Sequence, residues 1–565
     1  MYHIVLEGVP VGGVVLTIDF AAHRVRRGKP MNLANADALR RDPGAASSGP
    51  AMIRHSSLRR GFRRGVAALL HPRLGAPLLL GVVLGNALLW VAALTILKFA
   101  QVLHSDSTEA FAWGQTLAWG SGKHPPMVGW VARAWFSVFP TSDWAFYALA
   151  MAVTGATVLL IRLLAGEVLD RRRAVLATLL AMIYPIMNFK GYKFNPDLLQ
   201  LPFVVLIVWA YMVAAERRTA LWGVVIGLAG AGAVLTKYWG VWALVAIAVA
   251  AVARPDRNLL FRSPVPYVAV AVFVLAMVSH LDWLYAAGFT PFRYASQYLG
   301  LDRGTAARHA MDSTLHAFAL LLPALVAGAV AVLLPRLRRV TAPSADALDR
   351  ARQIWIIVAV LAIGPLIAAI ALPVRMKSDW TIPLFSLVPL AVLTLPRLAV
   401  PLRAVTRAAV ILLVLGVGAL MAAPGLATVK VLFEPSRALS PRLDRLAAIA
   451  TELWRERAGQ PLAVVVGDIE EIATVSFYSA DHPRMFSAGA PELTPWISVD
   501  TLGRSGFVGI CPASAPACVD RITALRPWAE RIIVTTERGA LGQSLPSDRW
   551  IVLLALPEAG VAITR

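Results

Sequence analysis

The chain has 565 residues, 58% hydrophobic and only 15% charged, with a mean hydropathy of +0.65, a balance that excludes a soluble domain of ordinary composition. The formal net charge of +21 would suit a nucleic-acid binder if it lay on one face. Its arginines are instead dispersed through loops between apolar runs, which excludes nucleic acid as a partner and leaves a polytopic membrane protein surrounded by lipid.

Residues 1–70 read as a basic, poorly structured tail with "GAASSGP" as a flexible break, and Met52 is a candidate alternative start. No cleavable signal peptide is evident, because arginines interrupt residues 1–75 and no continuous apolar core forms. The first apolar run then serves as the targeting signal. A hydrocarbon core about 30 Å thick needs roughly 20 mainly apolar residues per helix. About eleven runs near that length follow, at roughly 76–98, 143–165, 173–189, 198–214, 220–236, 239–253, 266–288, 315–334, 354–372, 381–396 and 404–423. The fifth and sixth are short and separated only by "TKYWG".

The arginines also set the expected threading. Arg59, Arg60, Arg63 and Arg64 precede the first run. Arg171, Arg172, Arg173, Arg217, Arg218, Arg254, Arg257, Arg262, Arg336, Arg338, Arg339, Arg397, Arg403 and Arg407 fall in alternate loops. Positive loops stay cytoplasmic, so the 104–130 interval, the 190–197 loop, 289–313, 373–380 and everything after 424 are expected on the far side. This divides the chain into the tail, a membrane domain at 71–424 and an outer domain at 425–565.

In the outer domain "RLDRLAAIATELWRERAG" carries helical apolar spacing, and "PLAVVVGD", "FVGIC", "RIIVTT" and "WIVLLAL" read as short buried strands, so a small α/β domain is expected. Cys511 and Cys518, the chain's two cysteines, would form a disulfide in an oxidising periplasm; two free thiols, one buried on a strand, is the alternative. Alone they make no structural zinc site.

The residues that carry chemistry cluster in the outward loops. In "HSDSTEAFAWGQTLAWGSGKHPPMVGW" (104–130), Asp106 followed by Glu109 is a capping-box pattern for a helix over 109–119, whose Phe111, Trp113 and Trp119 would lie along the membrane surface. An aspartate there can both cap the helix and act as a base. Lys123 and His124 precede Pro125 and Pro126, a rigid extended dipeptide that would aim two basic groups at a phosphate; the alternative is a snorkelling lysine and a turn-capping histidine. His104 and Glu109 leave room for a divalent metal, with no cofactor certain. The loop "NFKGYKFNPDLLQL" places Lys190, Tyr192, Lys193, Asn195 and Asp197 at two helix ends, where charges are costly unless paired or lining a cavity. Lys237 sits alone in "GAVLTKYWG", as a ligand or a snorkelling side chain, and "PVRMKSDWTIP" adds Arg375, Lys377, Asp379 and Trp380. Several cations and a few acids at one depth suit a phosphorylated lipid substrate.

"DSTEAFAWGQTLAWGSGKHPP" resembles the first extracytoplasmic loop of bacterial members of glycosyltransferase family thirty-nine, the superfamily of dolichyl-phosphate-mannose protein mannosyltransferases and aminoarabinose lipid A transferases. "YPIMNFKGYKFNPDLL", "LTKYWG", "KSDWTIPLF" and "VVGDIEEIATVSFYSADHP" follow in the family's order. The resemblance spans roughly 75–565 and implies a mainly α, GT-C membrane fold in the bacterial inner membrane, with the active site and the C-terminal α/β domain on the periplasmic side. It also implies a polyprenyl-phosphate-linked sugar donor and inverting transfer to a lipid, glycan or protein acceptor.

By position, Asp106 and Asp197 match the family's acidic catalytic positions. Lys123, His124, Lys193 and Lys237 match substrate-binding positions, and Glu109 and Lys377 join them from the same loops. Two departures stand out: His124 occupies the place of a phosphate-binding lysine, and Ser107 stands where relatives often carry an acid. Inverting transfer is a direct displacement, so one carboxylate base suffices. A transporter or flippase is the alternative from another class, but it would favour midplane polar breaks and inverted repeats, whereas here the polar clusters lie in outward loops. A non-catalytic scaffold leaves the loop cations unexplained.

Overall fold

The computed structural model describes residues 60–333, 344–396 and 398–557. Most of the N-terminal tail lies outside the described residues, but its described end, 60–68, is helical, not unstructured. Seven helices are long and apolar enough to cross a membrane: Gly75–Leu97, Asp143–Val168, Pro196–Arg217, Val265–Ala286, Arg303–Val332, Ala345–Ala371 and Leu402–Phe433. Each overlaps one of the expected runs, but three reach well beyond them: Arg303–Val332 takes in the end of the expected 289–313 loop, Ala345–Ala371 starts before 354, and Leu402–Phe433 runs on past 423.

The other four runs form shorter pieces. Arg171–Ile183 and Val241–Ala253 have 13 residues each, and Ala220–Thr236 has 17. At 1.5 Å per residue, 13 residues extend about 20 Å, well short of the hydrocarbon core. Prolines explain two of the interruptions, because a residue without an N–H cannot continue the helical ladder. Pro185 follows Arg171–Ile183, and the remainder of the expected 173–189 run becomes the 3-10 turns Pro185–Met187 and Phe189–Tyr192. Pro383 and Pro389 break the expected 381–396 run into Ser378–Thr381, Ile382–Phe385 and Val388–Leu393. Every residue from Ala174 to Ile183 is buried, so its apolar character all round reflects protein surroundings, not lipid alone.

The polar contacts between loops sort into two groups. At one end Arg218 and Arg254 share Asp256, Arg350 meets Glu216, and Arg173 and Arg352 donate to the Leu398 and Ala253 carbonyls. At the other end Lys193 bridges to Asp379, Lys377 donates to Tyr298, Ser313 donates to the Met376 carbonyl, and Lys237 meets Asp197. The arginine-rich loops thus contact one another, and the loops expected outside do likewise.

The C-terminal domain is built on a five-stranded sheet: β1 Val464–Gly467, β2 Arg484–Ser487, β3 Phe507–Pro512, β4 Glu530–Ala540 and β5 Gln543–Ala555, in the order β2-β1-β3-β5-β4. β1 pairs parallel with β2 and β3; β5 runs antiparallel to β3 and β4. The continuous apolar run of β3 makes it the buried centre. β4 and β5 form a hairpin through Leu541 and Gly542, both at positive φ, the backbone a two-residue turn requires. "RMFS" of β2 was not among the expected strands, since four residues carry too little pattern. Cys511 on β3 and Cys518 on the helix Pro516–Leu525 are disulfide-bonded, which decides between the two cysteine alternatives.

Helix Ile469–Tyr478 of this domain packs on Ser105–Gly114 of the membrane domain. Thr108 and Thr474 hydroxyls are 3.2 Å apart, Gln115 donates to Ser476, and the Tyr478 hydroxyl donates to Asp143 while accepting the Leu103 N–H. Phe111, Phe136, Phe146 and Phe477 interlock with ring centroids 4.6–5.7 Å apart. Each such pair contributes about 0.5–1.5 kcal/mol beyond its buried area. The C-terminal domain is therefore bonded directly to the helix that carries Asp106.

Candidate active site

Helix Ser105–Gly114 begins at His104, whose ring Nδ1 accepts the Asp106 N–H at 3.2 Å. The capping box expected from Asp106 and Glu109 does not form, and the helix ends at Gly114, not 119. Ser107 through Gly114 are all buried, with Phe111 packed on Phe477 of the C-terminal domain and Trp113 on His124. Gly114 crosses Gly129 of helix Met127–Phe136 so closely that a Cβ on Gly114 would stand 2.5 Å from the Gly129 carbonyl oxygen.

Asp106 is the focus of a four-residue cluster. Asn195 caps Pro196–Arg217 through its Oδ1, which accepts the Leu198 N–H, and its Nδ2 donates to Asp106 Oδ2 at 3.1 Å. Lys193 Nζ lies 3.4 Å from Asp106 Oδ2 and 2.6 Å from Asp379 Oδ2. Among the described residues Asp106 Oδ1 accepts no hydrogen bond, and the side chain is 38% exposed. Burial pushes the Asp106 carboxyl up, but the Lys193 ammonium and the Asn195 amide more than offset it, so it sits below the usual carboxylate range. Burial pulls Lys193 down, yet Asp106 and Asp379 hold it above the ordinary lysine value. His104 is lowered by burial, in keeping with a neutral ring whose Nδ1 is an acceptor.

Asp197 is placed differently. Its Oδ1 is 2.5 Å from Lys237 Nζ, and the two side chains are only 15% and 11% exposed. Lys237 ends the helix Ala220–Thr236 and lies 4.8 Å from the Trp380 ring centre. A cavity of about 20 Å³ is lined by Lys190, Lys193, Asn195, Asp197 and Asp379. That volume holds about one water.

The two expected phosphate cations are both engaged within the fold. Lys123 Nζ makes a bidentate bridge to Glu109 at 2.9 and 3.1 Å, so its charge is already matched. His124 packs on Trp113, and burial followed by the repulsion of Lys237 and Lys123 pushes its ring down to about 3, leaving it neutral. Nor is the following dipeptide extended throughout: Pro126 adopts helical backbone angles and starts Met127–Phe136. The loop is instead fixed by Ser121, which takes the His124 and Lys123 N–H groups, and by Gly122, whose missing Cβ lets Leu493 of the C-terminal domain close on it.

Lys377 has no carboxylate partner among the described residues. Its Nζ donates to the Tyr298 hydroxyl at 3.0 Å and lies over that ring, which meets Trp380 edge-on. No group of three His, Cys, Asp or Glu able to hold a metal occurs among the described residues. His104 and Glu109 do not converge: one caps a helix and the other binds Lys123. Asn195, Asp379 and Tyr298 complete the site but were not selected from sequence as site residues. The excess of lysines over acids in the outward loops was the available signal for Asp379; nothing comparable marked Tyr298.

Residues 123–283 match the family model for dolichyl-phosphate-mannose-protein mannosyltransferases, a segment that contains Lys123, His124, Lys193, Asp197 and Lys237 but not Asp106. The lipid A galacturonosyltransferase RgtD of Rhizobium johnstonii is 26% identical over 213 residues, covering 35% of this chain and 43% of the relative, so the matched part spans less than half of that protein. ArnT from Cupriavidus metallidurans in the apo state superposes with a TM-score of 0.53 at 14% identity, covering 84% of this chain and 97% of ArnT. ArnT bound to undecaprenyl phosphate gives 0.52 at 15% identity, over 88% and 100% of the two chains. The chain is thus a multi-pass membrane protein of GT-C fold that is similar, over residues 123–283, to the dolichyl-phosphate-mannose-protein mannosyltransferases.

Proposed function

We propose that the protein transfers a sugar from a polyprenyl-phosphate donor to a lipid acceptor by inverting displacement, with Asp106 as the base. The observation that carries this reading is the ionised, partly open Asp106 carboxylate, set at the end where the 104–130, 190–197, 289–313 and 373–380 loops meet. Asp106 Oδ1 takes the proton of the acceptor hydroxyl as its oxygen attacks the anomeric carbon, and the bond to the donor phosphate breaks with its electron pair leaving on phosphate. Lys377 and the Tyr298 hydroxyl, a cation and a donor with no carboxylate to satisfy, neutralise the departing charge. Lys193 holds Asp106 in its charged form and Asp379 holds Lys193 in place. Asp197 acts as the partner of Lys237, not as a second base. The relative's name as a lipid A galacturonosyltransferase and the ArnT complex with undecaprenyl phosphate support a lipid acceptor and a polyprenyl-phosphate donor. The arginine distribution supports an inner-membrane location with this end facing the periplasm.

Mass spectrometry of lipid extracts tests the proposal. A deletion strain carrying the wild-type gene is expected to gain one glycosyl increment on a lipid that the same strain carrying Asp106→Asn lacks, a loss of at least about 10²-fold. An equal yield of that product from Asp106→Asn removes the base.

A further inference from the structure

The membrane-spanning helix Val265–Ala286 leaves most of its surface uncovered by the rest of the protein, yet it carries a fully buried histidine, His280. His280 stands six residues before the end that leads into the 289–313 loop, so about 9 Å along the helix from it. An imidazole at that depth is costly unless it is bonded, and both ring nitrogens are. Nδ1 lies 2.7 Å from the Trp119 carbonyl oxygen, and Nε2 lies 3.2 Å from the Tyr238 hydroxyl. A carbonyl oxygen only accepts, so Nδ1 carries the ring proton and donates it to Trp119; in the neutral ring Nε2 then accepts the Tyr238 O–H.

Each bond reaches a segment of the candidate site. On one side the first outward loop is pressed onto the helix: Trp283 stacks on His280 with ring centroids 5.8 Å apart, and a Cβ on Gly120 would stand 2.3 Å from the Trp283 ring. Only glycine lets the loop close so far. Trp130 grips the same loop, donating to the Ala118 carbonyl at 3.1 Å and meeting Trp119 edge-on. Three residues past Gly120, Lys123 bridges to Glu109 on the helix that carries Asp106. On the other side Tyr238 directly follows Lys237, the partner of Asp197, and its ring stacks at 4.7 Å on Phe292 of the loop that carries Tyr298. One imidazole therefore joins three separate outward segments.

An apolar side chain would fill this space without the cost of burying two polar nitrogens, but it would not set a direction between the segments. We propose that His280 is a positioning residue: its two hydrogen bonds fasten the first outward loop to Tyr238, and through Tyr238 they fix where Lys237 holds Asp197. That the geometry so fixed serves sugar transfer rests on the function proposed above; the fastening of the loop does not.

The test is amide hydrogen exchange across residues 115–123 of the full chain in nanodiscs, beside transfer kinetics measured well below Tm. His280→Phe keeps a ring against Trp283 and removes both bonds; exchange is expected to quicken about tenfold, and kcat to fall about tenfold with the donor KM nearly unchanged. His280→Asn, whose amide nitrogen falls near Nδ1, keeps the Trp119 bond and should restore most of the protection and part of kcat. His280→Gln, which keeps a polar atom near Nε2 instead, should leave exchange fast, so the pair of variants carries the comparison even where His280→Phe does not fold. Tyr238→Phe should lower kcat with exchange at 115–123 near the wild-type rate, and should add nothing to His280→Phe. Exchange that is unchanged in His280→Phe and His280→Gln overturns the proposal. So does a His280→Phe variant that loses Tm but keeps its kcat, since that is a packing role alone. Fast exchange in these variants beside a wild type that transfers no sugar supports the fastening and counts against the transfer function instead.

Discussion

Asp106 and Asp197 both sit in the first turn of a helix at the same end of the molecule, each within reach of a lysine, yet their situations differ. Asp106 shares Lys193 with Asp379, keeps one oxygen free of hydrogen bonds among the described residues and remains 38% exposed. Asp197 has Lys237 to itself and is 15% exposed. An open carboxylate held charged by a shared cation can exchange a proton with a substrate. A closed pair spends its charge on its partner and chiefly holds two helices together. On the function proposed above, burial, not residue type, separates the reacting acid from the structural one.

The sharpest way to break this contrast is to neutralise each acid in turn. Asp106→Asn should lose at least about 10²-fold in transfer and little thermal stability. Asp197→Asn leaves Lys237 buried without its partner and should cost about 3–5 kcal/mol of stability, read as a fall in Tm. If Asp197→Asn unfolds normally but is inactive, the two roles are reversed. Asp379→Asn, which removes one of the two carboxylates on Lys193, should lower kcat about tenfold with KM nearly unchanged, and Asp379→Glu should recover part of it. Lys377→Ala should lower kcat with the lipid-linked donor about tenfold, whereas Lys123→Ala should register first as lower Tm, because it strands the buried Glu109. A donor effect confined to Lys123→Ala would return the phosphate site to the first loop.

The smallest effect concerns pH. Asp106 lies below the usual carboxylate range, so the base stays ionised and transfer should hold steady as pH falls from neutrality to about 5. His124 is held down to about 3 in the folded chain, whereas unfolded histidine titrates near 6.5. The unfolded state therefore binds the extra proton between those values, and stability should decline as pH falls through that window. His124→Gln should flatten the decline in Tm without introducing a new limb in the activity profile. A transfer limb near pH 6.5 that vanishes in His124→Gln would contradict a neutral His124.

The long spans were legible because about 20 apolar residues leave few other solutions. Shorter runs misled where prolines intervened: Pro185 stops a helix that hydropathy alone carries to 189. Asp106, Asp197, Lys193 and Lys237 were all legible as polar groups at helix ends beside a bilayer. The environments of Glu109, Lys123 and His124 were not, because they depend on the C-terminal domain, some 370 residues later, closing over the first loop through Leu493 and Thr474. Tyr298 was invisible for a similar reason, since only the approach of the 373–380 loop makes its hydroxyl a partner of Lys377.

Local composition was enough to establish a membrane chain, its apolar runs, the α/β domain and the gathering of lysines and aspartates in alternate loops, because hydropathy and charge act through the residues next in line. The choice of which lysine each aspartate keeps came only with folding. Coulomb pairing and desolvation depend on distances across loops far apart in the chain, and a few ångströms between Asp106, Lys193 and Asp379 decide which carboxylate stays open to react.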